Sequence, residues 1–134
     1  MAVVAWLRLA RVFAKIERRA VEQLRPRGLS YGQFDVVAHV GAAPGMSQQE
    51  LANALLVTKG NVCQLLDKLE TADLLVRRPA GRTNRLFLTD KGRALYADVV
   101  PEHEALIAQQ LSALDIDAQR QLVRLLRRLD HTLV

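Results

Sequence analysis

The 134-residue chain is long enough for one domain with a hydrophobic core and too short for two domains of typical size. Half of its residues are apolar but only 4% are aromatic, and no apolar run approaches the ~18 residues that a membrane span requires. Its net charge of +5 is uneven, because residues 57–93 carry +4 and residues 94–134 carry −2, and a local cationic strip of this kind is typical of nucleic-acid-binding proteins.

The first two predicted helices lie before residue 43. Over residues 2–24 apolar residues recur at spacings of three and four, which favours a helix; the stripe consists of Leu9, Phe13, Ile16, Ala20 and Leu24. A proline and a glycine within residues 25–28 end it. Ser30 then begins a second helix, with Gln33 placed to complete a capping box. We expect its inner face to consist of Phe34, Val37, Ala38 and Gly41.

Residues 47–71 have the pattern of two helices joined by a tight turn. Ser47 begins the third helix with a capping box through Glu50, and Thr58 is a suitable N-cap for the fourth after a turn at residues 56–57. On the fourth helix, apolar residues at i, i+3, i+4 and i+7 predict a buried face made of Val62, Leu65, Leu66 and Leu69. The opposite face is small or hydrogen-bonding and consists of Gly60, Asn61, Gln64, Lys68 and Thr71. A helix of this kind suits readout of a DNA major groove.

A basic hairpin follows the fourth helix. Residues 74–76 and 86–88 are the predicted strands, and residues 79–81 supply the turn. Between Leu74 and Arg85 there are four arginines and no acidic residue. Because a two-stranded hairpin is not stable alone, this wing must pack against the helices.

Two further helices complete the chain. Thr89 is expected to cap a long fifth helix that contains Pro101, and Asp115 or Asp117 begins a sixth. The sixth helix carries a leucine stripe made of Leu122, Leu125, Leu126, Leu129 and Leu133. A winged helix needs far less chain than this. The terminal helices therefore either cover one another within the chain or form a dimer interface.

Several segments, in this order and at this spacing, resemble the MarR family of winged-helix transcription factors. They are LSYGQF at 29–34, QELA at 49–52, TKGNV at 58–62, LLDKLE at 65–70 and RTNRLFLTDKG at 82–92. The resemblance covers nearly the whole chain and implies a homodimer, joined by its terminal helices, on a pseudo-palindromic operator. It also implies repression that is relieved when a small, often phenolic, ligand binds between the dimer region and the DNA-binding lobe.

The expected fold class is mainly α (α+β), a winged helix-turn-helix with a small two-stranded β wing and long terminal dimerisation helices. Within a single domain of residues 1–134, the DNA-binding lobe would span residues 30–89. The helical dimerisation region would comprise residues 1–25 and 90–134. One departure concerns the wing, because the family usually has Asp two positions before the wing arginine, here Arg82, and this chain has Ala80. This change and the short turn both bear on how far the wing reaches.

The candidate DNA contacts lie on the predicted recognition helix and wing. The amides of Asn61 and Gln64 are suited to reading base edges, at about 1–3 kcal/mol of discrimination each. Thr58, at a helix N-terminus, and Lys59 and Lys68 are suited to phosphates. The remaining candidates are Ser47 at the start of the third helix and the wing residues Arg77, Arg78, Arg82 and Arg85. Arg82 is the arginine expected to enter a minor groove.

Candidate ligand contacts lie on the first two helices, where family pockets are partly built. They are Trp6, Phe13, Tyr31 and His39. The alternative interpretation of each is that it packs in the hydrophobic core. The ligand class would be a small phenolic or aromatic molecule.

Other function classes have weaker support. The sequence has no P-loop and no GxGxxG motif, its three histidines share no ligand spacing, and Cys63 is expected to be a small buried thiol. We therefore expect no enzyme activity, no cofactor and no metal site. The single cysteine excludes an internal disulfide and indicates a reducing, cytoplasmic location without membrane association. The alternative to a DNA-binding regulator is a winged-helix protein-interaction module with weak or no DNA binding.

Overall fold

The computed structural model describes residues 1–55 and 59–133, and the side chains of residues 59 and 60 lie outside the description. The elements are α1 (Ala2–Leu24), a 3-10 turn (Arg25–Arg27), α2 (Tyr31–Ala42), α3 (Gln48–Ala54), α4 (Lys59–Thr71), β1 (Leu75–Ala80), β2 (Thr83–Leu88), α5 (Asp90–Gln110) and α6 (Ile116–Thr132). The mainly helical winged fold predicted from the sequence is confirmed. The predicted turn at residues 56–57 and the Thr58 N-cap lie outside the described residues. The chain divides into two compact units, Met1–His103 and Glu104–Val134.

Local capping chemistry begins most of these helices where the sequence predicts. At α2 the Ser30 hydroxyl accepts from the Gln33 backbone N–H at 3.1 Å, and Gln33 Oε1 accepts from the Ser30 N–H at 2.9 Å. Ser47 and Glu50 make the same reciprocal pair at α3. Thr89 Oγ1 accepts from the Gly92 N–H at 3.0 Å at the start of α5. The N-cap of α6 is Asp115, not Asp117.

The core of the DNA-binding lobe forms where α2, α3, α4 and the wing meet. Val62, Leu66 and Leu69 are buried as predicted, whereas Leu65 is only half-buried. The same core also contains Val37, Val40, Leu51, Leu75 and Leu86. The packing of α4 against this core leaves its opposite face exposed.

The predicted inner face of α2 was partly wrong. Phe34 and Val37 are buried as expected, but Val36 and Val40 are also fully buried, while Ala38 and Gly41 are only half-buried. The reason is that α2 packs against α1, α3, α4 and β2, so more than one of its faces is covered. A single apolar stripe describes a helix with one neighbour, whereas α2 packs against several.

The wing is longer and its turn tighter than the sequence predicted. β1 and β2 pair antiparallel from Leu75↔Leu88 to Ala80↔Thr83, so only Gly81 and Arg82 form the turn. The prediction of a turn at 79–81 was wrong because Pro79 and Ala80 belong to the strand. Gly81 has φ of +65°, which a two-residue type II′ hairpin turn requires at its first position.

The first half of α1 and most of α6 present apolar side chains to solvent. On α1 only Ala20 and Leu24 of the predicted stripe are buried, whereas Leu9 and Phe13 are exposed. In the second unit, none of the described residues of α6 is buried, and Leu125, Leu126, Leu129 and Leu133 are exposed. Neither helix completes its apolar burial within its own unit.

Candidate nucleic-acid interface

The exposed face of α4 carries the side chains predicted to read bases. Asn61, Gln64 and Lys68 are all exposed, and their spacing of i, i+3 and i+7 aligns them on one stripe. Val62, Leu66 and Leu69 hold the opposite side of α4 in the core. The structure therefore presents two amides and a lysine along one open helix surface. Thr58 and the Lys59 side chain lie outside the described residues.

Two of the four wing arginines, Arg78 and Arg82, are exposed and have no carboxylate partner among the described residues. Arg82 is exposed at the second position of the hairpin turn. The exposed guanidinium of Arg78 lies over the Phe87 ring, 4.9 Å from its centroid. A cation held against an aromatic face keeps its N–H edge open, so it remains able to bind phosphate.

Arg77 has a different environment from the other wing arginines. Only 20% of its side chain is exposed, its Nε lies 2.6 Å from Glu70 Oε1, and its Nη2 pairs with Asp67. Both carboxylates belong to α4. These ion pairs attach the wing to α4, and the contact of Arg77 with the DNA backbone stays a prediction.

Arg85 and Ser47 also have structural partners. The Arg85 guanidinium donates to the Gly45 carbonyl at 3.2 Å and lies 3.5 Å from Glu50 Oε1. Ser47 is only 8% exposed, its hydroxyl accepts the capping hydrogen bond from the Glu50 N–H, and its backbone pairs with Arg85. The pKa of Glu50 is lowered, chiefly by the hydrogen bonds it accepts from Ser47 and then by Arg85. This group fixes the start of α3 to the second strand of the wing.

The wing tip and α3 enclose a polar groove of about 270 Å³. Arg82 and Asn84 line it from the wing, and Gln48 and Gln49 line it from α3. Sequence reasoning missed Gln48, Gln49 and Asn84 as candidate contacts. The signal was present in the first two, because polar residues that directly follow an N-cap lie at the open end of a helix.

The prediction that Cys63 is buried was wrong. The thiol is exposed, and Gln48 Nε2 donates to its Sγ at 3.4 Å. One residue corresponds to about 100° around a helix, which moves Cys63 away from the buried stripe that contains Val62. The thiol therefore lies beside the polar α3 surface.

The four predicted ligand contacts lie on two helices, Tyr31 and His39 on α2 and Trp6 and Phe13 on α1. Tyr31 makes edge contacts with Phe34 and His103, each with 6.0 Å between ring centroids, and His39 Nε2 lies 3.4 Å from Asp35 Oδ1. Trp6 and Phe13 lie instead on the apolar face of α1, 64% and 52% exposed.

Burial governs the titration of the groups around Tyr31. It raises the pKa of Asp35 above its usual range, against the opposing effect of His39 and His103. Burial also raises the pKa of Tyr31, and the Asp35 and Glu17 carboxylates add to this shift. Asp35 thus lies beside His39, and its charge also acts on Tyr31.

The described residues hold neither a cluster of metal ligands nor a membrane-spanning helix. No three His, Cys, Asp or Glu side chains gather there closely enough to hold a metal ion. No described helix combines the length and the apolar character needed to cross a membrane.

The sequence matches a protein-family model and several transcriptional regulators. A family model described as MarR family matches residues 27–85. The HTH-type transcriptional regulator PecS of Dickeya dadantii is 33% identical over 132 residues, which span 94% of this chain and 80% of that protein.

Solved structures give the same result. The MarR family protein RV2887 of Mycobacterium tuberculosis, crystallised with salicylic acid, is 32% identical with a TM-score of 0.71, and the match covers 90% of this chain and 92% of that one. AbsC of Streptomyces coelicolor is 21% identical with a TM-score of 0.88, covering 96% of this chain and 90% of that one, and supports the fold.

Proposed function

Because the chain belongs to the MarR family of winged-helix transcriptional regulators, we propose that it works as a homodimer on a pseudo-palindromic operator. As a member of this family it is a sequence-specific DNA-binding regulator of transcription. The main support for the proposal is the exposed stripe of Asn61, Gln64 and Lys68 on α4, whose opposite side packs in the core. The alternative of an interaction module without DNA binding is not favoured by its relatives.

The dimer is proposed from the unpartnered apolar faces of α1 and α6. Trp6, Leu7 and Phe13 are exposed on α1, and Leu125 and Leu129 are exposed on α6. Apolar patches of this kind mark association surfaces, since water contact with them is unfavourable. Residues 1–25 and 90–134 would thus form the dimerisation region, and residues 30–89 the DNA-binding lobe.

Each copy of α4 would enter a major groove, with the two half-sites about 10 base pairs apart. Asn61 and Gln64 would read base edges, while Thr58, Lys59 and Lys68 would bind phosphate. Arg78 and Arg82 would hold the flanking backbone from the wing. For Arg77, Arg85 and Ser47 we propose that any DNA contact is secondary to fixing the wing and α3 in place.

The regulatory step is proposed to be release of the operator by a small aromatic ligand, which would make the protein a repressor. Salicylic acid is bound in the crystal structure of the related RV2887 protein. Tyr31 and His39, beside the half-buried Asp35, are the candidate contacts in the lobe, and Trp6 and Phe13 are those on α1. We further propose that the protein acts by binding rather than catalysis, and in the cytoplasm.

A footprinting experiment upstream of the protein's own gene tests the proposal directly. We expect one protected, two-fold symmetric site whose half-sites lie about one helical turn apart. If a dimer neutralises about eight phosphates, affinity should fall roughly 10³–10⁵-fold between about 50 and 200 mM salt. A stable monomer, or a dimer with no salt-sensitive attraction to duplex DNA, would overturn the proposal.

A further inference from the structure

One side of α1 carries a stripe of exposed cations, which we call the α1 stripe. Between residues 8 and 19, every residue within an arc of about 100° around the helix is basic, at about 100° of rotation per residue. The stripe consists of Arg8, Arg11, Lys15, Arg18 and Arg19. All five side chains are exposed, and none forms an ion pair with another described residue. Glu22 ends the stripe one turn after Arg18, so twelve residues before it form a surface of one sign of charge.

The apolar side of α1 fixes where the α1 stripe points. Ala20 and Leu24 are buried, and Leu9 and Phe13 continue the same apolar side towards the N-terminus. The middle of that side lies about 150° around the helix from the middle of the α1 stripe. The cations therefore face away from the packed side of α1, where burying unpaired guanidinium groups would be costly.

The helix α6, in the second unit, has the same division into two sides. Leu125, Leu126 and Leu129 are exposed on one side. The arginines of α6 occupy an arc of about 100° on the opposite side. They are Arg120, Arg124, Arg127 and Arg128, all exposed. Together with the α1 stripe they make up about half of the chain's 19 Lys and Arg residues, so much of the positive charge lies outside the recognition helix and the wing.

The helix α2 separates the α1 stripe from the DNA-reading side of α4. A Cβ placed on Gly32 would lie 3.2 Å from the Leu65 side chain, so this side of α2 faces α4. Phe34 instead packs in a cluster with Leu24 of α1. At about 100° per residue, Gly32 and Phe34 lie about 160° apart around α2. A duplex held by α4 therefore leaves the α1 stripe open to a second partner.

The chemistry of the α1 stripe favours the phosphate backbone of duplex DNA. Four of its five cations are arginines, whose planar guanidinium groups bind a phosphate through two parallel hydrogen bonds. From Arg8 to Arg19 the stripe extends about 16 Å, a length over which one strand of B-DNA presents about five phosphates. It contains no amide and no aromatic ring. Such a row of cations binds phosphates irrespective of base sequence.

Two other polyanionic surfaces fit α1 less well. Its aromatic residues, Trp6 and Phe13, lie on the apolar side, so the α1 stripe offers no ring on which single-stranded bases could stack. An amphipathic helix on a membrane immerses its apolar side in the lipid. On α1 that side packs against α2, so the DNA-binding lobe lies where the lipid would have to be.

We propose that the α1 stripe binds a second segment of duplex DNA, so that one dimer bridges two segments. The operator lies on the paired α4 helices, and the second segment is held through its phosphates without sequence preference. The arginine side of α6 is a further surface of the same chemistry. Bridging rests on the proposed function, because it needs a duplex on α4, whereas DNA binding by the α1 stripe does not.

A bead-capture experiment tests the bridge. DNA from upstream of the protein's own gene is immobilised, loaded with protein and washed, and a fluorescent duplex of unrelated sequence is then added. We expect the wild type to capture this duplex in about 50 mM salt and to lose it in about 200 mM salt. Combining Arg8→Gln, Arg11→Gln and Arg18→Gln should lower the capture at least about 10-fold, while the immobilised DNA retains as much protein as before.

The matched control replaces the same three arginines by lysine. Because the charge is kept, this variant should capture the duplex nearly as well as the wild type. Lys15→Gln combined with Arg19→Gln is an independent variant of the same stripe and should also lower the capture. Circular dichroism melts and light scattering of each variant verify that it is a folded dimer.

Equal capture by the wild type and the glutamine variants, or no capture by the wild type in dilute salt, would overturn the proposal. A folded but monomeric glutamine variant would also overturn it, since the arginines would then belong to the dimer interface. Poly-L-glutamate bound in place of the duplex would assign the α1 stripe to an acidic protein. If the immobilised DNA retains no wild-type protein, the proposed function fails. Anisotropy of the unrelated duplex with wild type, glutamine and lysine variants then still decides whether α1 binds DNA.

Discussion

Arg77 Nε lies 2.6 Å from Glu70 Oε1, which ties the first strand of the wing to the second half of α4. The same guanidinium pairs with Asp67, one turn earlier on the helix. A two-stranded hairpin lacks stability of its own, so an ion pair to the neighbouring helix fixes where its tip lies. Arg77 therefore positions the wing for the arginines that follow it.

We predict that Arg77→Gln destabilises the protein without removing a phosphate contact. The free energy of unfolding should fall by about 0.5–1 kcal/mol, since the pair is partly exposed and screened by solvent. The slope of log affinity for DNA against log salt should stay unchanged. Urea unfolding and fluorescence anisotropy at several salt concentrations measure the two quantities. Arg82→Gln is the control, with an unchanged unfolding transition and a shallower slope; a shallower slope in Arg77→Gln would assign it to phosphate.

We predict that Arg82→Ala and Gln64→Ala affect DNA binding in different ways. Loss of Arg82 removes a backbone contact, so affinity should drop for all duplexes alike and the salt slope should flatten by about one unit per site. Loss of Gln64 removes a base contact, so preference should relax at one position per half-site, at about 1–3 kcal/mol. Binding to a set of single-base operator variants distinguishes them. Equal losses in both variants, with unchanged salt dependence, would contradict this division.

We predict that Leu125→Glu combined with Leu129→Glu converts the protein to a monomer. Both leucines are exposed on α6, and a charge placed in an apolar interface must be desolvated without a partner. Size-exclusion chromatography with light scattering measures the mass, and operator affinity should fall with it because two half-sites no longer bind together. Gln121→Glu, an exposed polar position on the same helix, should remain dimeric. An unchanged mass in the leucine variant would place the interface elsewhere.

We predict a pH-dependent contribution from Glu50. Hydrogen bonds from Ser47 hold its pKa below the ordinary value of 4.5, so the charged form stabilises the folded state above that pH. This stability is lost as pH falls through the lowered pKa. Thermal melts should therefore show Glu50→Gln less stable than the wild type at pH 7, with the difference shrinking as the pH falls below 4.5. Glu22→Gln controls for loss of a negative charge on an exposed helix, and a difference independent of pH would exclude this role for the carboxylate.

Local signals in the sequence identified the helices and their starts. Ser30 with Gln33, Ser47 with Glu50, and Thr89 each satisfy backbone donors within three residues, so the information lies in neighbouring positions. The buried stripe of α4 follows from its period for the same reason. The family resemblance rests on these same segments, and the matches with known proteins confirm it.

Tertiary packing alone decided which polar groups remain open. Arg77 and Arg82 are alike in the sequence, but only folding brings Asp67 and Glu70 to the first of them. The burial of Val36 and the exposure of Cys63 depend likewise on which elements surround α2 and α4. Periodicity reports the faces of one helix, whereas burial and charge pairing are set by neighbours distant in the chain. The sequence alone therefore predicted a cationic strip. Only the tertiary structure showed which of its arginines form ion pairs and which are exposed without one.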